Sequence, residues 1–165
     1  MEIVGDHLIA EVFRQTDDID KDLFGRSAFN RYYYAAFLAI RRLFAEVDNN
    51  LNQPQHAGIP SLLTDTLNGK IKKIVRRQEK AGAISSARAQ EICNSAAEAL
   101  KSLAELMSYA YSIRKIADYQ PETKIELVGG VVGIGGCQST VARRWCADVE
   151  VKAEQVREIW RQLGN

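Results

Sequence analysis

Residues 86–117 read SARAQEICNSAAEALKSLAELMSYAYSIRKIA and lie within the longest run without proline or glycine in this 165-residue chain. Apolar residues recur through it at steps of three and four, which is the period of a helix with one buried face. The expected buried stripe is Ile92, Ala96, Leu100, Leu103, Met107 and Ala110. Pro121 cannot continue a helix, so a single long amphipathic helix is predicted to end just before it. This helix sets the predicted fold class as all-α.

The same periodicity predicts four further helices around this one. We expect them at about 6–20, 27–47, 60–82 and 139–163, with Ser27 as the N-cap of the second. Asn68-Gly69 could divide the third into two pieces. About five helices joined by mostly short loops predict an up-and-down bundle, formed by one domain over residues 1–165.

Composition excludes several classes of protein. A formal net charge of +1 argues against a protein that coats nucleic acid by bulk charge, although a local basic face remains open. The three cysteines form no CxxC pair, so we expect no metal and no cofactor, and a reducing cytoplasm fits them better than a secreted framework. No signal peptide and no membrane-spanning segment is expected.

The end of the long helix carries a candidate site. Arg114 continues the apolar stripe, and Asp118 follows one turn later on nearly the same face. An arginine on an inward face needs a partner, because an unpaired buried charge is costly. Two interpretations stay open: an internal ion pair with Asp118, or a phosphate-binding arginine at a cleft or dimer seam.

A second candidate lies in FNRYYYAAFLAIRRLF, residues 29–44. Phe29, Tyr33, Phe37 and Phe44 are expected in the core, whereas Arg31 and Tyr34 lie off that stripe. Tyrosine beside arginine suits either a protein interface or stacking on bases.

The densest basic cluster comprises Lys70, Lys72, Lys73, Arg76 and Arg77. A solvated helix face is the simplest interpretation, and a surface for RNA phosphates or an acidic partner is the alternative.

Three short stretches together resemble the HEPN family, in its bacterial and archaeal branch. RYYYAAFLA at 31–39 resembles the signature R-x-Y-Y-A-x-F-x-A, and RKIADY at 114–119 resembles R-x-x-A-D-Y. QHAGI at 55–59 resembles the histidine–glycine junction that opens the family's third helix. The resemblance covers about residues 25–120, in the family's order.

The resemblance implies a helical bundle that forms a homodimer and acts on RNA. Active members of the family cleave RNA without metal, through an arginine followed along the helix by a histidine. Arg114 matches that arginine and would stabilise the pentacoordinate phosphate. Position 118 is Asp and position 119 is Tyr, with His56 as the histidine that could enter from a loop.

Two functions follow from the resemblance. One is a metal-independent endoribonuclease of the toxin–antitoxin or phage-defence kind, with Arg114, Asp118, Tyr119 and His56 as catalytic candidates. The other is an inactive HEPN module that binds RNA or a partner protein such as a nucleotidyltransferase. Its contacts would come from Arg31, Tyr34, Lys70, Lys73, Arg76 and Arg77.

The stretch IELVGGVVGIGG at 125–136 fits none of these helices. It lacks the Lys-Ser/Thr of a P-loop and the spacing of a dinucleotide fingerprint. A flexible or partner-docked loop is therefore predicted, with its apolar residues buried in a dimer or partner groove.

Overall fold

The computed structural model describes residues 1–164, and most of them are helical. The helices are α1 (Glu2–Val12), α2 (Asp18–Val47), α3 (Ile59–Ser61), α4 (Asn68–Lys80), α5 (Ser86–Tyr119), α6 (Ser139–Ala142) and α7 (Trp145–Gln162). A π-helical stretch (Leu62–Leu67) joins α3 to α4, and 3-10 turns at Asn49–Leu51 and His56–Gly58 precede α3. The predicted all-α helical bundle of about five main helices is confirmed.

The structure corrects two predicted helix starts. α1 begins at Glu2 rather than Asp6, and α2 begins at Asp18, so Ser27 lies inside a helix and is not an N-cap. Acidic residues in the first turn of α2, Asp18 and Asp20, favour this earlier start because they complement the positive end of the helix dipole.

Two interruptions also differ from the prediction. Asn68-Gly69 causes no break, because the π-helical stretch passes directly into α4 at this point. The helix predicted at 139–163 is instead divided into α6 and α7, and Arg143 and Arg144 form the turn between them.

The predicted loop at 125–136 is wrong, because it belongs to a small antiparallel sheet. Its strands are β1 (Glu126–Val128), β2 (Val131–Ile134) and β3 (Cys137–Gln138), in the order β1-β2-β3. Gly129-Gly130 and Gly135-Gly136 have positive φ and form the two-residue turns between the strands. Val132 and Ile134 are fully buried within the chain itself, so no partner is needed to cover them.

The chain divides into two compact units of interleaved segments. Unit 1 comprises Met1–Leu38 and Tyr109–Asp148, and unit 2 comprises Ala39–Ser108 and the chain from Val149 onward. That the whole chain is one domain stays a prediction.

Each unit has its own buried residues. In unit 1 they include Phe29, Tyr33 and Phe37 of α2, as predicted, with Val132 and Ile134 of the sheet. In unit 2 the fully or almost fully buried side chains include Phe44, Ile71, Val75, Ile92, Leu100 and Leu103. The six residues of the stripe predicted for α5 are all buried.

Gly5 of α1 packs directly against the ring of Tyr32 in α2. A Cβ added at Gly5 would lie 2.5 Å from Cε1 of Tyr32, whose ring is buried and whose hydroxyl donates a hydrogen bond to Asp6 at 2.8 Å. The helix can therefore pack here only without a side chain.

Gly5→Ala is expected to destabilise the protein by about 1–3 kcal/mol, because the added methyl group overlaps the Tyr32 ring. Thermal unfolding followed by circular dichroism measures the effect. Gly69→Ala in α4 is the control, since a Cβ there meets nothing within 4 Å. It should stabilise by about 0.5–1 kcal/mol through helix propensity. Equal effects of the two substitutions would contradict this packing.

Candidate functional site

Arg26 holds the end of α5 and so determines where the candidate site residues lie. Its Nε donates to Asp22 Oδ2 at 2.8 Å, and both side chains are largely buried. Its two Nη atoms donate to the backbone carbonyl oxygens of Ile116 at 3.1 Å, Ala117 at 3.0 Å, Gln120 at 3.1 Å and Thr123. The last carbonyls of a helix have no partner inside it, so the guanidinium acts as a C-terminal cap.

Asp22 extends this anchor to the strand that follows. The backbone N–H of Ile125 donates to Asp22 Oδ1 at 3.0 Å, and Lys124 Nζ lies 3.5 Å from Oδ2. Burial acts to raise the pKa of Asp22, but the hydrogen bonds from Arg26 and Ile125 outweigh it and hold the pKa below its ordinary value.

The candidate residues Arg114, Asp118 and Tyr119 form one cluster with Asn30, which lies one turn beyond Arg26 on α2. Arg114 Nη2 lies 2.5 Å from Asp118 Oδ2, and Asn30 Nδ2 donates to the other oxygen of Asp118. The guanidinium also lies over the Tyr119 ring, 5.2 Å from its centroid. The internal ion pair that the spacing suggested is therefore present.

The positive charge of Arg114 is stabilised by neighbouring side chains. Burial acts to lower the pKa of Arg114, but a hydrogen bond with Tyr119 and the charge of Asp118 outweigh it, so the pKa rises. Two buried atoms of the cluster, Arg114 Nε and Asn30 Oδ1, have no hydrogen-bond partner. Both atoms are inaccessible to solvent, so they are unsatisfied polar atoms inside the cluster and are not positioned to contact a ligand.

Aromatic side chains border this cluster. The Tyr33 ring packs edge-on against Tyr34 with centroids 5.7 Å apart, and it contacts Tyr111 at 5.9 Å. Tyr33 is fully buried, Tyr34 is half-buried and Arg31 is exposed. Of the three consecutive tyrosines, Tyr34 is the partly accessible one.

The cluster and the aromatic rings that border it contain no histidine and no unpaired carboxylate. Burial raises the pKa of Tyr33 far above its ordinary value of about 10. The carboxylate of Asp118 is already bound by Arg114 and Asn30. The charge of Arg114 is balanced by Asp118, and general base catalysis by these side chains is not favoured.

The remaining predicted residues belong to unit 2. His56 is half-buried in the 3-10 turn before α3, whereas Arg114 lies in unit 1. Lys70 forms an ion pair with Asp48. The catalytic role of His56 stays a prediction.

The exposed face of α4 carries the remaining basic candidates. Ile71 and Val75 are buried on one side, and the opposite side exposes Lys72, Lys73, Arg76, Arg77 and Lys80. Within residues 1–164 no ion pair engages any of these five cations. Glu79 is the one acidic residue in α4.

Among residues 1–164, no group of three or more His, Cys, Asp or Glu side chains is arranged to hold a metal ion. No helix in that range has both the length and the apolar character needed to cross a membrane.

Comparison with protein-family models, with curated proteins and with solved structures found no significant match. The HEPN resemblance therefore stays a prediction from the motifs.

Sequence reasoning missed Arg26 and Asn30. A signal existed in the spacing of Asp22, Arg26, Asn30 and Tyr34, which repeat every four residues along one side of α2. The acceptors of Arg26 could not be read from the sequence, because they are backbone carbonyls about ninety residues away.

Arg26→Lys is expected to destabilise the protein by about 2 kcal/mol, because a lysine cannot reproduce the five directed N–H donors of the guanidinium. Urea unfolding measures the change. Arg14→Lys is the matched control, since Arg14 is exposed just beyond the end of α1 and pairs with Glu11, three residues earlier in the chain. Its effect should stay below about 0.5 kcal/mol. A similarly small effect for Arg26→Lys would show that the cap contributes little.

Proposed function

We propose that this chain binds RNA through its phosphates, using the basic face of α4, and that it does so without cleaving the RNA. The observation that carries the proposal is the set of exposed cations on α4 that no acidic side chain of residues 1–164 neutralises. Unpaired cations on one helix face can replace the counterions of a nucleic acid backbone.

The spacing on α4 supports binding to a polyanion. Lys72, Arg76 and Lys80 follow one another at four-residue steps, and Lys73 and Arg77 form a parallel row. A four-residue step rises about 6 Å along a helix, so both rows present charges at regular intervals. Lys70 contributes less, because Asp48 already neutralises it.

The chemistry of this face supports phosphate contacts rather than base recognition. α4 carries no aromatic residue on which a base could stack. Lysine and arginine side chains alone give binding that is independent of sequence and sensitive to salt.

A metal-independent endoribonuclease centred on Arg114 is the second candidate. Its support is that Arg114, which matches the motif arginine, lies over the ring of the exposed Tyr119. The bound state of Asp118 and the lack of a proton acceptor beside it favour binding over cleavage. The homodimer, the nucleotidyltransferase partner and the cytoplasmic, toxin–antitoxin or phage-defence setting stay predictions.

Lys73→Ala/Arg77→Ala should weaken binding of a fluorescein-labelled RNA about tenfold in low salt. Two lost phosphate contacts should also lower the slope of log affinity against log salt by about 2. Fluorescence anisotropy over a salt series measures both quantities.

Lys115→Ala/Arg144→Ala is the matched control for this double variant, because it removes two exposed positive charges outside α4 that form no ion pair within residues 1–164. Its affinity should stay within twofold of the wild type. Equal losses of RNA affinity in the two double variants would indicate that the RNA is attracted by the overall charge of the protein and not by the α4 face. Absence of RNA binding by the wild type, with capture of an acidic protein by the same face, would replace RNA with a protein partner.

A separate assay tests whether the protein cleaves RNA. Labelled RNA in EDTA should remain intact with the wild type and with Arg114→Ala, because the cluster offers no base. Gel electrophoresis with analysis of the RNA ends measures this. Fragments with 2′,3′-cyclic phosphate ends from the wild type alone would establish the endoribonuclease instead.

A further inference from the structure

A groove lies beside the N-terminal end of α4, within unit 2. It is formed between the chain that follows α2 and the helical segment that leads into α4, and its cavity has a volume of about 430 Å³. Most of its surface is apolar, and Leu51, Pro54 and Leu62 are partly exposed among the residues that line it. A cavity of this size with a mostly apolar lining is typical of sites for small organic groups.

The outer wall of the groove is held by contacts with α2 and α4. Arg41 Nε donates a hydrogen bond to the backbone C=O of Asn52 at 3.2 Å, and Lys70 forms an ion pair with Asp48. The backbone N–H of Asn50 donates to Asp48 Oδ1 at 3.0 Å. Because this wall is fixed on both sides of its 3-10 turn, the groove is largely formed before a ligand enters, which lowers the entropic cost of binding.

Unused hydrogen-bonding groups line the groove. Within the part of the chain that the structure describes, the side chains of Gln53, Gln55, Ser61 and Thr66 form no hydrogen bond. An amide offers donors and an acceptor, and a hydroxyl offers one donor together with acceptor lone pairs. Among the described lining residues there is no lysine or arginine, and Asp65 is the one carboxylate. The lining therefore suits a neutral group with mixed donors and acceptors better than it suits a phosphate.

The groove lies in line with one row of cations on α4. The π-helical stretch that lines the groove passes directly into α4. Thr66, Lys73 and Arg77 follow one another at intervals of seven and four residues, so their side chains lie on nearly the same face of the helix. Lys73 lies about 10 Å along the axis beyond Thr66. A ligand in the groove therefore has the exposed cations of this row beside it.

We propose that the groove holds one unpaired base of an RNA whose neighbouring phosphates contact Lys73 and Arg77, so that this face binds single-stranded RNA. This base site rests on RNA binding by α4 and adds the class of RNA that is bound. The apolar side chains contact the faces of the base, and the amides of Gln53 and Gln55 meet its polar edge. α4 carries no aromatic side chain, so the groove supplies the apolar surface for a base that α4 lacks.

Single-stranded RNA should bind about fivefold more tightly than the same sequence annealed to its complement, because a paired and stacked base must be extruded before it can enter the groove. Electrostatic attraction alone favours the duplex, which carries more phosphate charge per unit length. Fluorescence anisotropy with the fluorescein-labelled RNA measures both affinities. Equal affinities, or tighter binding of the duplex, would overturn the base site and leave phosphate binding by α4 in place.

Ser61→Leu/Thr66→Leu fills the groove with two larger apolar side chains and should lower the affinity for single-stranded RNA about fivefold, with little effect on the duplex. The loss should persist as salt is raised, because the contact with the base is not ionic, whereas the contribution of the α4 cations falls. Ala45→Leu/Ala57→Leu is the matched control, since both alanines are exposed in unit 2 and do not line the groove. Equal losses in the two double variants would reject the groove as the site.

Gln53→Ala/Gln55→Ala tests the same site without adding bulk. Both side chains are exposed, so this variant should keep the circular dichroism spectrum of the wild type. Its affinity for single-stranded RNA should fall about threefold, because two hydrogen-bonding groups at the edge of the base are lost. An unchanged affinity of the folded variant would contradict the role of the amides.

Photo-cross-linking locates the base directly. A single-stranded RNA that carries 4-thiouridine is irradiated with the wild-type chain, which is then digested with trypsin and analysed by mass spectrometry. Residues 43–70 form one tryptic peptide that contains every described lining residue of the groove, and Lys73 and Arg77 lie outside it. Cross-links within residues 50–66 are expected. Cross-links confined to other peptides would overturn the base site alone, whereas a wild type that binds no RNA would remove the proposed function together with it.

Discussion

The guanidinium of Arg26 is the group on which the geometry of unit 1 depends. Pro121 prevents α5 from continuing, and the carbonyls that this leaves without helical partners would be costly to bury unpaired. Both Nη atoms of Arg26 donate hydrogen bonds to carbonyl oxygens at this end of the helix, and its Nε donates to Asp22. Because Asp22 also receives the N–H of Ile125, one ion pair on α2 fixes the end of α5 and the start of the sheet.

The cluster around Arg114 follows from that anchor. Once the end of α5 is held against α2, Asn30 lies one turn from Arg26 and can donate to Asp118. Asp118 then balances the charge of Arg114, and the guanidinium lies over the Tyr119 ring. The result is an arginine whose charge is matched by its neighbours. Arg114 therefore has no free positive charge, whereas five exposed cations of α4 have no ion-pair partner among residues 1–164.

The sequence was informative where a signal was local and periodic. The stripe of α5 and the Arg114–Asp118 pair follow from helical spacing, and both are present. The sheet could not be predicted, because strands of two to four residues are too short to show an alternation of apolar and polar residues. Paired glycines are also typical of flexible loops. Their positive φ values show the opposite, since Gly-Gly provides the geometry of a tight hairpin turn. The Arg26 cap was missed because backbone carbonyls have no side-chain signature.

The net charge of this chain does not indicate the electrostatic field at its surface, because many of its charged side chains form ion pairs with their neighbours. The 22 basic and 21 acidic residues leave a formal charge of +1. The charges of pairs such as Arg26–Asp22, Arg114–Asp118 and Arg157–Glu46 cancel each other, and such pairs exert little field beyond about 8 Å in physiological salt. The cations of α4 have no such partners, so their field persists at the surface. A chain that is almost neutral as a whole can therefore attract a polyanion at one face, and the strength of that attraction is governed by the unpaired charges rather than by their sum.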